Sequence, residues 1–143
     1  MLLVEKRQNI LTQSTNMLKM LPIIIEAIPA AAQRYDTAGD WFYNSIGELR
    51  IFVNEAPDPR YSFLIALHEL VEVKLCEQAG ITQEMVDEFD LNYKGDDPGA
   101  DSKAPYHVQH NHATAVEKYV AEALGVNWEV YDNWCIYGDK KDA

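Results

Sequence analysis

Cysteine is nearly missing from the chain: among 143 residues only Cys76 and Cys135 occur, with no C-x-x-C pair. The pattern therefore offers no disulfide framework and no thiolate-built metal site, and each cysteine reads as a packed thiol. Basic residues are also scarce, 12 against 23 acidic ones, for a formal net charge of −11. Non-specific binding to nucleic acid or anionic lipid needs clustered Lys and Arg, and no basic stripe is present. The acidity favours divalent cations and basic partners instead. No apolar run approaches the roughly 20 residues that cross a bilayer. Residues 1–7 lack the order of a secretory signal, because their charges follow the short apolar run. Together these absences point to a cytoplasmic protein that engages neither membrane nor nucleic acid, and whose oligomeric state is open.

What is present suffices for one domain with a core of its own, since 48% of the residues are hydrophobic. Residues 1–20 mix polar and apolar types without a clean period, giving a weak helix candidate over 9–20 or an arm. Residues 21–29 form a β-branched run fenced by Pro22 and Pro29, which reads as a strand. Turn chemistry over 35–40 precedes Trp41-Phe42-Tyr43, and after Asn44-Ser45-Ile46-Gly47 the segment 48–54 alternates with period two, so the pair predicts a hairpin. Asp58-Pro59 supplies an N-cap and a proline at the first helical position, and Gly80 ends that helix. Thr82 caps a shorter helix to Phe89 or Leu91, with Met85, Val86 and Phe89 inward. Residues 94–102 read as loop. A last long helix is expected from Ala104 or Pro105 to Leu124, before Gly125, with a final short aromatic turn capped by Asn127. Residues 138–143 form a polar tail. The fold class is thus α+β: one domain over 21–137, with a small antiparallel sheet packed on a central helix and a second long C-terminal helix.

Chemistry concentrates in the central helix, at His68-Glu69-Leu70-Val71-Glu72. Four residues make roughly one helical turn, so His68 and Glu72 converge on one side with Glu69 beside them. The surrounding residues, Phe63 to Leu67, Leu70, Val71, Val73, Leu75 and Cys76, make the helix apolar on nearly every side, which places it in an interior. Acids buried there need a cation or a dense hydrogen-bond set. Two ligands hold a metal weakly, and a zinc site takes at least three side chains. His107, His110 and His112 all lie at the start of the last helix. His110 and Glu117 share a face two turns apart, with small Ala113 and Thr114 between them, so His110 is the expected third ligand. Glu117 either completes the shell or orients a ligand. His107 is the reserve, His112 points elsewhere, and Tyr106 is a candidate phenolic donor.

With these residues in view, the chain resembles a small zincin-like metallopeptidase of the gluzincin branch: a strand at 48–54 runs into a helix opened by Asp58-Pro59 and carrying H-E-x-x-E. The family pattern is H-E-x-x-H with a later glutamate as third ligand and the first motif glutamate as general base. Here Glu72 stands where the family has its second histidine, and His110 is offered from the later helix, so two members are exchanged. Gly39-Asp40-Trp41, residues 68–72 and residues 110–128 are also similar to small uncharacterised proteins of bacteria and phages.

Two functions follow as expectations. The resemblance implies a zinc-dependent hydrolase of peptide or amide bonds, with metal ligands His68, Glu72 and His110, Glu69 as base and a peptide or protein as substrate; another divalent metal could replace zinc. The alternative is a non-catalytic module in which the same residues hold a structural metal or a buried polar network. A two-iron carboxylate site fits poorly, because such sites draw E-x-x-H pairs from a four-helix bundle.

Overall fold

The computed structural model describes residues 22–138, so the arm proposed for 1–20, and the polar tail beyond Gly138, lie outside the described residues. Three strands form one sheet in the order β1–β3–β2: β1 is Ile23–Ile28, β2 Gly39–Tyr43 and β3 Leu49–Asn54. The β2–β3 pair is the expected antiparallel hairpin, with Trp41 opposite Ile51. At its turn the Asn44 side chain accepts hydrogen bonds from the Ile46 and Glu48 amides.

The sheet is mixed, however, and not antiparallel throughout, because β1 runs parallel to β3 with Ile25 opposite Ile51. The physical reason lies in residues 29–38, which bridge the C-terminal end of β3 so that β2 starts on its far side. Gln33 Nε2 ties this bridge to Asn54 Oδ1 at 3.0 Å, and the Glu55 amide bonds the Ile28 carbonyl. The bridge contains a 3-10 turn, Ala30–Ala32, and delivers Arg34 and Tyr35 toward the sheet end.

Four α-helices follow in chain order: α1 Pro59–Ala79, α2 Gln83–Asn92, α3 His107–Ala123 and α4 Trp128–Tyr137. Asp58 caps α1 by accepting from the Arg60 amide, and Gly80 closes it in the left-handed region at φ 73°. Thr82 and Asn127 cap α2 and α4 by the same chemistry. Three expectations shift here. The loop over 94–102 contains a 3-10 turn, Pro98–Ala100. Helix α3 begins two or three residues later than read, at His107, and Tyr106 gives it no side-chain cap. The terminal aromatic turn is a ten-residue helix.

The core lies between the inner face of the sheet and α1, where Trp41, Leu49, Ile51 and Val53 meet Leu64, Ile65 and Val73, all buried. Burial of such side chains contributes about 1.5–3 kcal/mol each. Only one side of α1 is interior: Phe63 points outward, and on α2 Met85 is 42% exposed although Val86 is buried. Helix α3 packs on α1, and its Ala113 and Ala121 have almost no exposed surface. No helix among the described residues is long and apolar enough to cross a membrane.

Candidate metal centre

The close approach of α3 to α1 brings two histidines and a carboxylate into one triangle. His68 Nε2 lies 3.0 Å from Glu72 Oε2 and 3.2 Å from His110 Nδ1, and His110 Nδ1 lies 3.0 Å from Glu72 Oε2. A four-coordinate metal with bonds near 2.0–2.1 Å places neighbouring ligand atoms about 3.3 Å apart, so the three atoms nearly match one face of such a shell. Among the described residues these three form the sole His/Cys/Asp/Glu group close enough to hold a metal ion. His68 and Glu72 are buried, and the His110 side chain is 14% exposed.

The outer atoms of both imidazoles argue for a cation at the centre. His68 Nδ1 donates to Glu117 Oε1 at 2.7 Å, and Glu117 Oε2 accepts from the Tyr131 hydroxyl at 2.5 Å. His110 Nε2 lies 3.4 Å from Asp97 Oδ1. A carboxylate on the outer nitrogen holds the proton there and leaves the inner lone pair free. Two lone pairs and a carboxylate oxygen then converge on one point, which only a cation or added protons can relieve. Glu117, expected either to complete the shell or to orient a ligand, has both oxygens engaged here, by His68 Nδ1 and the Tyr131 hydroxyl, and lies outside the three-residue group.

Charge on the protein without metal follows the same logic. Burial opposes a proton on either imidazole, but the Glu117 and Glu72 contacts raise His68 well above its ordinary value. In the same way Asp97 and Glu72 take His110 up to about 9. Burial would raise the Glu72 carboxyl, yet the hydrogen bonds from His110 and His68 hold it below the usual range. Glu69 differs: burial first, then the neighbouring Glu72 charge, push it well above its ordinary value. It is 9% exposed and makes no hydrogen bond among the described residues. Its position depends on Gly39, since a Cβ there would meet Glu69 Oε1 at 2.8 Å and Ile65 Cγ2 at 2.5 Å.

The other candidates take lesser places. The Nδ1 of His107 meets the Gly99 carbonyl at 2.9 Å and its Nε2 meets Asn111, so it braces the 3-10 turn and the reserve ligand role falls away. His112 is exposed, as its spacing implied. Tyr106 stacks edge-on to His110 but donates its hydroxyl to Asp90 at 2.6 Å. Both cysteines are free thiols. Sequence reasoning missed Asp97, Trp41, whose indole donates to Glu72 Oε1 at 3.1 Å, and Tyr35, which reaches Asp90 and Asp40. Asp97 sits in a loop where no period operates, and Trp41 was read only as part of the hairpin.

The chain matches no protein-family model, no curated protein and no solved structure.

Proposed function

We propose that the protein is a metal-dependent hydrolase of peptide or amide bonds, arranged like a small zincin, with zinc held by His68, Glu72 and His110. The observation that carries this reading is the pairing of a three-residue triangle with a buried carboxyl, Glu69, that makes no hydrogen bond among the described residues and sits on the helix that bears His68 and Glu72. A structural site has no use for such a carboxylate, whereas a hydrolase needs one. Zinc bound there supplies Lewis acidity, which acidifies water and polarises a carbonyl.

The residues of the chain do the rest. Glu69 accepts the proton of the attacking water and returns it to the departing amine. Glu117 and Asp97 keep the two imidazoles in the metal-binding tautomer. The Trp41 indole satisfies the second oxygen of Glu72 and so favours ligation through one oxygen. Glu72 would be the one carboxylate among the ligands and would leave a bound divalent ion with net positive charge.

The test is Glu69→Gln. Metal content is expected to stay at the wild-type level, while hydrolysis of a quenched-fluorescence peptide library falls by a factor of about 100 or more. Loss of metal in that variant, or unchanged turnover, contradicts the assignment of Glu69. Full metal occupancy with no hydrolysis by the wild type supports the non-catalytic alternative.

A further inference from the structure

The inner side of the sheet is covered unevenly. Leu49, Ile51 and Val53 of β3 are buried, yet Ile23, Ile25 and Ala27, their partners in the parallel ladder and so on the same side of the sheet, are exposed. Ile25 is 47% exposed although Ile51 beside it has no exposed surface.

The position of α1 accounts for this. Its Ile65 packs against Gly39 and its Glu72 accepts from Trp41, both on β2, while the Ser62 hydroxyl donates to the Asn54 carbonyl at the end of β3. At about 3.6 residues per turn, Ile65 and Glu72 lie about 60–80° to one side of Ser62, and Ala66, Leu70 and Phe63 lie about 40–100° to the other. Strand β1 lies beyond β3 from β2, so Phe63, Ala66 and Leu70 flank its open side, across α1 from His68. Phe63 is 55% exposed there. The result is an apolar groove between Ile23 and Ile25 on the sheet and Phe63 and Leu70 on the helix, and such surface gains by being covered.

The segment that leads into the groove has the chemistry to cover it. Residues 1–21 lie outside the described residues and join the start of β1 directly, through Pro22. Residues 1–8 have no period, but Ile10 and Leu11 recur as Met17 and Leu18 seven residues on. That spacing sets all four on one side of a helix over 9–20, with Thr12, Asn16 and Lys19 opposite. A helix of that length spans about 18 Å and a strand the length of β1 about 20 Å, so the two match. Charge agrees as well: Lys6, Arg7 and Lys19 against Glu5 give residues 1–20 a net +2, in a chain whose total is −11.

We propose that residues 9–20 dock as a helix in this groove, laying Ile10, Leu11, Met17 and Leu18 against Ile23, Ile25 and Phe63. The occupant is the chain's own N-terminal segment, and the docking is independent of the metal reading.

The experiment irradiates the full chain carrying the photoreactive residue benzoylphenylalanine in place of Phe63, and maps the product by mass spectrometry. A cross-link within one chain, from position 63 to residues 9–20, is expected. The same photoreactive residue in place of Met85, an exposed apolar position on α2, is expected to give none to that segment. Met17→Asp with Leu18→Asp is expected to lower the yield from position 63 about tenfold or more, because both side chains lose an apolar partner. Thr12→Asp with Asn16→Asp adds the same charge on the opposite side and is expected to leave most of the yield. No cross-link to residues 9–20, equal cross-linking from positions 63 and 85, or equal loss in both double variants overturns the proposal. So does a product of twice the chain's mass, which would make a second copy the occupant.

Discussion

His68 is fixed from both ends, by Glu72 and His110 on its inner nitrogen and by Glu117 on its outer one. Replacing Glu117 with Gln removes the charge that holds the outer proton, and outer carboxylates of this kind are worth about 10–100-fold in metal affinity. The expected outcome in a zinc competition titration is a weakening of that size with the fold intact. Tyr131→Phe, which deletes only the hydroxyl bonded to Glu117, is expected to act in the same direction and more weakly. Unchanged affinity in Glu117→Gln would mean that the tautomer of His68 is set elsewhere.

At the scale of elements, the site exists because two helices approach closely. Ala113 and Ala121 are fully buried on α3, the helix packed on α1, so Ala113→Leu overpacks its surroundings and costs about 1–3 kcal/mol. A fall in urea midpoint with a parallel loss of zinc affinity is expected; loss of stability alone would uncouple packing from the site. Gly99 makes a second constraint, since a methyl group there runs into the His110 ring. Gly99→Ala is therefore expected to displace His110 and lower zinc affinity more than stability. These elements were largely legible in the sequence. Asp58-Pro59, Gly80, Thr82 and Asn127 announced their helix ends through side-chain chemistry local to the chain. Helical spacing likewise placed His68 beside Glu72 and chose His110 over His107. What spacing cannot convey is which strand another strand pairs with, so the parallel β1–β3 ladder was missed. The same limit hid Asp97, whose partner is brought to it by tertiary folding and not by period.

At the scale of the whole molecule, acidity and the metal centre are coupled through protons. The imidazole pKa values are raised in the folded metal-free protein, so their contribution to stability is complete below about pH 6.5 and is lost as pH rises through about 9, where His110 deprotonates. Buried Glu69 acts in the same direction, because its ionisation costs stability once pH exceeds the ordinary carboxyl value. The melting temperature of the metal-free protein is therefore expected to drop from about pH 7 to about pH 10, with zinc flattening the decline. Zinc affinity is expected to move the opposite way over that range, rising about tenfold per pH unit for each proton displaced. A metal-free melting temperature that climbs with pH would contradict the proton assignments.

The central claim is that His68, Glu72 and His110 share one metal ion. Anomalous diffraction at the zinc edge, from crystals of the loaded protein, tests it most directly. The account predicts a single strong peak about 2.0–2.2 Å from His68 Nε2, His110 Nδ1 and a Glu72 oxygen, with Glu117 hydrogen-bonded outside the shell. No peak there, or a peak ligated by Glu117 or by surface acids alone, would contradict it.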